Sequence, residues 1–246
     1  LIRAAAALGG LLLLTAGLGA CRQGEDTGRP ASSLEFPRAA RPVSPGAGNA
    51  FATELQRDSV NEARTVMDLA RIAPGTTVAD IGAGEGYYTV RLAERVGARG
   101  RVLAQDIDSA ALSRLGARVE HERLDNVSIK PGAPDDPRLP GHSFDRVFLV
   151  HMYHEVTEPY AFLWRLHPAL RAGGKVIVVD VDRTTDRHGI PPALLFCEFA
   201  AVGFRLDQFV RKPELQGYYA QFEAVGERPA PGRIRPCDST GKPVEE

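Results

Sequence analysis

The chain has 246 residues and a formal charge of −1, with 43% hydrophobic and 25% charged side chains. That composition carries enough apolar surface for one domain with a sizeable core. The near-neutral balance excludes the broad basic surface of a nucleic-acid binder, so no nucleic acid is expected as a partner.

Arg3 precedes an apolar Ala/Leu/Gly-rich run from Ala4 to Ala20. The run is short for a bilayer span and suits the apolar stretch of a secretory signal, so residues 1–20 read as a signal peptide. The sequence LGAC at 18–21 resembles the lipobox of bacterial lipoproteins. That resemblance implies cleavage before Cys21, lipidation of Cys21, membrane attachment through the lipid and a place in the cell envelope facing the periplasm. The chain begins with Leu1 rather than Met. A single-pass anchor and a misassigned start are the competing readings, and the second would make the protein cytoplasmic. Residues 21–50 are rich in Pro, Gly, Ser and Ala without apolar periodicity, and read as a disordered linker.

The main domain is expected over residues 51–226. Ser59 and Glu62 form an S-x-x-E capping box ahead of Val60, Ala63, Met67 and Ala70 at helical spacing, and Pro74-Gly75 ends that lid helix. Residues 77–81 read as a strand buried on both faces. Three glycines follow, and then a helix with Tyr88, Leu92 and Val96 on one side. A strand over 101–107, a helix over 109–122, a short strand over 126–130 and a proline-laden loop over 131–143 come next. Residues 144–150 read as the most clearly buried strand. A helix over 158–171, interrupted near Pro168, leads to a strand over 175–182 and a helix over 191–204. Two partly alternating strands, 204–211 and 218–225, close the domain as an antiparallel pair, and residues 227–246 read as an irregular tail. The pattern predicts an α/β fold with a doubly wound, mainly parallel seven-stranded sheet. A ligand then belongs at the carboxyl ends of the first strands.

Cys197 and Cys237 could pair in an oxidising compartment, or Cys197 could be a buried thiol in an apolar helix. The absence of C-x-x-C spacing argues against structural zinc.

The stretch DIGAGEG, Asp80 to Gly86, is organised as D-x-G-x-G-x-G. A dinucleotide fingerprint would need a glycine where Tyr87 stands, and no G-K-S or G-K-T follows for a phosphate loop. DIGAGEG, QDID at 105–108, FDRVFLVHMYHEV at 144–156 and LRAGGKVIVVDVD at 170–182 together resemble the motifs of class I S-adenosylmethionine-dependent methyltransferases, over roughly residues 51–225. The resemblance implies S-adenosyl-L-methionine as cofactor and a small-molecule methyl acceptor. A non-catalytic envelope lipoprotein on the same fold is the alternative.

The resemblance also assigns the cofactor site. Gly82, Gly84 and Gly86 would let backbone approach the ligand, Asp106 would accept hydrogen bonds from the ribose hydroxyls, and Asp80 would orient the loop or meet the ligand's ammonium through water. Family members often carry Gly-Asp after the third strand for the adenine amine. Gly132-Ala133 stands there instead, which leaves Asp135 or Asp136 of the same loop as the substitute. In HMYHE, His154 and, secondarily, His151 are the candidate catalytic groups, with Tyr153 and Glu155 beside them. Asp180, Asp182 and His188 form a second rim of the same mouth. Their loop placement lacks the i, i+4 helical spacing of a zincin, so no metal is expected.

Overall fold

A computed structural model describes residues 28–44, 53–215 and 217–245. The signal-peptide and Cys21 expectations lie outside the described residues. No helix among the described residues is long and apolar enough to cross a membrane.

The chain runs α1 (Glu54–Ser59), α2 (Glu62–Leu69), β1 (Thr77–Ile81), α3 (Tyr87–Val96), β2 (Arg101–Asp106), α4 (Ser109–His121), β3 (Val127–Pro131), β4 (Phe144–Val150), α5 (Pro159–Leu166), β5 (Leu170–Val181), α6 (Pro192–Ala201), β6 (Phe204–Lys212) and β7 (Gly217–Ala224). The sheet has seven strands in the order β3-β2-β1-β4-β5-β7-β6. β1 to β5 pair in parallel, and β7 lies antiparallel between β5 and β6. This is the doubly wound sheet with an antiparallel C-terminal pair that the β-α alternation dictates.

The continuous apolar runs of β4 and β5 work because successive side chains enter opposite cores. Val147, Leu149, Val176 and Val178 pack with α5 and α6, whereas Phe148, Val150, Ile177 and Val179 pack with α2 and α3. Each such side chain, fully buried, contributes roughly 1.5–3 kcal/mol relative to exposure.

Three local expectations need correction. The lid is two helices, not one. Thr53 and Gln56 form the capping box of α1, Asn61 takes a left-handed conformation at φ 54° and starts α2, and Ser59 ends α1. Glu62 is thereby freed from capping and turns inward. The helix expected to reach residue 171 ends at Leu166, and Pro168 lies in a single 3-10 turn before β5.

The third correction is the larger. Residues 28–44, part of the expected linker, form a packed strap over α5 and α6. Arg29 donates two hydrogen bonds of 2.7 Å to Glu158, and Phe36 is 3% exposed against the edge of Trp164. Arg41 is buried with its guanidinium 2.7 Å from the buried carboxylate of Glu198. Composition suggested disorder because the strap has no periodic apolar face. Its order comes from a few ion pairs with residues more than a hundred positions away.

The tail is irregular, as expected, yet fastened. Cys237 is disulfide-bonded to Cys197 on α6, its amide donates to the Tyr160 hydroxyl at 2.6 Å, and Trp164 Nε1 donates to the Pro229 carbonyl at 2.8 Å.

Candidate functional site

The carboxyl ends of β1, β2 and β4 open into a cavity of about 540 Å³, lined by Gly82, Gln105, Asp106, Ala133, Pro134, His151, Met152 and Glu155 among others. This lies inside the roughly 300–1,000 Å³ range of small-molecule and cofactor sites. Gly28, Pro30 and Ser44 from the strap complete the wall.

Asp106 ends β2 at the cavity. One carboxylate oxygen accepts the Gly84 amide at 2.8 Å, and the other accepts the Asp108 amide at 2.9 Å. The group is therefore aimed by backbone donors, and each oxygen keeps capacity for a further donor. The glycine loop divides its roles differently from the sequence expectation. A Cβ on Gly82 would stand 2.8–2.9 Å from the Met152 side chain, and one on Gly86 would overlap Leu115. Protein packing requires those two. At Gly84, with φ 54°, a Cβ would meet nothing within 4 Å, whereas Gly82 is the glycine of the loop that lines the cavity.

Asp80 is 3% exposed, accepts the Thr89 hydroxyl at 2.6 Å and does not line the cavity. Burial pushes its carboxyl up to about 6, against the Thr89 hydrogen bond. It holds β1 to the start of α3. Asp135 is turned away from the cavity. Its carboxylate accepts Ser32 at 2.5 Å, Ser33 at 2.9 Å and Arg165 at 2.7 Å. Burial would raise its pKa, but these partners hold it below the usual range. Ala133 and Pro134 face the cavity in its place, and the Gln105 side chain fills the space beside Gly132.

On the opposite rim, His151 follows β4 in a left-handed conformation at φ 54° and lines the cavity. Its Nε2 lies 3.3 Å from Glu62, which also takes Arg57 at 2.5 Å and the Tyr88 hydroxyl at 3.1 Å. Burial alone would raise Glu62, but the His151 and Arg57 hydrogen bonds hold it at about 2. Glu62 was legible only as a cap. Its pairing follows from the unforeseen break at Asn61.

His154 is fully buried, one layer behind Glu155. Its Nδ1 stands 3.0 Å from both carboxylate oxygens of Asp180. A carboxylate only accepts, so Nδ1 carries a hydrogen and donates it to Asp180. Burial raises the pKa of Glu155, countered by His154 and His188. Tyr153 points into the core and donates to Glu198 at 2.8 Å.

Comparison with known proteins bears on this geometry. Residues 78–174 match a family model described as "Methyltransferase domain". The chain is 31% identical over 118 residues to the ubiquinone/menaquinone biosynthesis C-methyltransferase UbiE of Methylococcus capsulatus, which is 48% of either chain. It is 36% identical over 85 residues to the nocamycin O-methyltransferase of Saccharothrix syringae, 35% of this chain and 30% of that one. The chain thus spans about half or less of the curated relatives it matches. A SAM-dependent methyltransferase from Aquifex aeolicus superposes with a TM-score of 0.62 at 21% identity, covering 69% of this chain and 92% of that one. The chain thus has the α/β fold of these methyltransferase structures, and its residues 78–174 match a methyltransferase domain.

Proposed function

We propose that the protein transfers the methyl group of S-adenosyl-L-methionine to a small-molecule acceptor held on the His151–Glu155 rim. The observation that carries this reading is Asp106, fixed by the Gly84 and Asp108 amides at the wall of the cavity. There it accepts the ribose hydroxyls, with the methionine end along Gly82 and Gly84. The base meets Ala133 and Pro134, so apolar packing replaces the missing carboxylate contact. Displacement at a sulfonium has a good leaving group, and alignment of donor and acceptor supplies much of the rate. His151 touches the cavity and is the group able to steer or deprotonate an acceptor directly. His154 acts through Glu155.

Isothermal titration of the full chain with S-adenosylmethionine and S-adenosylhomocysteine tests the reading. Saturable binding that Asp106→Ala weakens is expected, and no heat at millimolar ligand would refute it.

The protein is further proposed to be lipidated on Cys21 and to work in the cell envelope. The LGAC sequence supports this, and so does the Cys197–Cys237 disulfide, a bond that persists in oxidising compartments. Seven residues separate Cys21 from Gly28 at the cavity wall, at most about 25 Å of extended chain, so a lipidated protein would open its pocket near the bilayer. Growth with a palmitate analogue should label the wild type and not Cys21→Ala. An unlabelled wild type would favour the cytoplasmic alternative.

A further inference from the structure

We infer that His154, Glu155 and His188 form the protein side of a site for one divalent first-row transition metal, with zinc the best fit. Their potential ligand atoms all lie within 4.8 Å of one another, although His188 comes from a different loop, after β5. Zinc held at 2.0–2.1 Å in tetrahedral geometry sets its ligand atoms about 3.3 Å apart. Closing the cluster to that spacing takes side-chain movements on the order of 1 Å.

The two histidines are prepared in different ways. In His154 the Asp180 carboxylate holds the ring by Nδ1, and Nε2 lies 3.9 Å from a Glu155 oxygen. A carboxylate behind an imidazole fixes the tautomer, orients the lone pair and raises its basicity, the arrangement that accompanies metal-bound histidine. His188 stands edge-on to His154, with ring centres 5.8 Å apart. Its Nδ1 is buried and makes no hydrogen bond among the described residues, a state that costs free energy until something fills it.

The backbone at His188 is also committed. It is left-handed, φ 52° and ψ 62°, a conformation disfavoured for a residue with a side chain. Ser44 of the strap fastens this turn: its hydroxyl accepts the His188 amide at 3.1 Å and donates to the Thr185 carbonyl.

Two imidazoles and one carboxylate exclude calcium and magnesium, which prefer all-oxygen sites. Three protein ligands with Glu155 at the cavity wall leave a coordination position facing the cavity, as in catalytic rather than structural zinc sites. The site does not depend on the methyl-transfer reading, since metal binding is measurable without either substrate.

The test uses the full chain, stripped with chelator and titrated with Zn²⁺ against a competing indicator. One equivalent with a dissociation constant below about 1 µM is expected. His188→Ala should weaken it at least 100-fold, and Asp180→Asn 10- to 100-fold by disorienting His154. Substituted Co²⁺ should give the visible bands of a four-coordinate site, lost in His188→Ala. Circular dichroism and thermal melting of each variant establish that it is folded. Because His188 is only half-buried, its replacement is tolerated better than that of His154. No stoichiometric binding at 100 µM Zn²⁺, or wild-type affinity in folded His188→Ala and Glu155→Gln, would overturn the site.

Discussion

On the β1–β2 side of the cavity, Gly82, Gly84 and Asp106 stand at strand ends, within 25 residues of one another in sequence, and backbone amides hold the key carboxylate. On the β4–β5 side, His151, His154 and His188 stand on loops, and side chains from distant segments hold them: Glu62, Asp180 and Ser44. The first rim inherits its geometry from sheet register, which any sequence with the right strands supplies. The second is assembled by tertiary contacts, so it is costlier to build and more easily lost.

The sharpest way to break the second rim is Arg41→Ala. It leaves Glu198 as an uncompensated buried charge and releases the strap that carries Ser44. A loss of about 3–5 kcal/mol is expected, read from the midpoint of urea unfolding. Reducing the disulfide should approach this loss. It closes a loop between residues 40 apart, worth about 4 kcal/mol on chain-entropy grounds, so melting in the presence of reductant should show a lower transition.

Asp106→Ala attacks the first rim without its scaffold. Two hydrogen bonds to a charged acceptor are lost, and S-adenosylmethionine affinity should fall about 100-fold by titration while the unfolding midpoint moves little. Should both fall together, the two rims are less separable than the geometry indicates.

Asp80 supplies a pH test. Its folded pKa of about 6 lies above the unfolded value of 3.8, so its favourable contribution is full below pH 3.8 and is lost as pH rises through 6. At pH 7 Asp80→Asn should therefore be more stable than wild type by about 3 kcal/mol, and the gap should close near pH 4. An acid-to-neutral series of unfolding curves would show it. The smallest effect is expected for Gly84→Ala. Its left-handed backbone costs roughly 1–2 kcal/mol in stability, and a loss of ligand affinity beyond that would show that the ligand reaches the loop as far as Gly84.

The difference between the rims also explains what could be read without coordinates. Strands β1, β2, β4 and β5 follow from apolar runs and their punctuation, and Asp106 from its place at a strand end. Asp135 was misread because a loop carboxylate shows its spacing but not its partners, and Ser32, Ser33 and Arg165 reach it across the fold. The cluster of His188 with His154 and Glu155 was hidden on the same ground. Helical spacing was the criterion, whereas His188 reaches His154 and Glu155 through the end of β5, a proximity that no local pattern encodes. The strap was invisible because Phe36 is its one buried large apolar side chain among the described residues and its anchors are single arginines.

That strap gives the fold an unusual dependence. Residues 28, 30 and 44 bracket it and all three touch the cavity, so a domain boundary drawn near residue 51 would cut away part of the binding wall. It follows that filling the pocket and fastening the N-terminal segment are one equilibrium. Each tenfold excess of a ligand over its dissociation constant adds about 1.4 kcal/mol to the free energy of peeling the segment off. Protease cutting between residues 28 and 44 should slow in proportion, making the N-terminus a gauge of occupancy for ligands not yet identified.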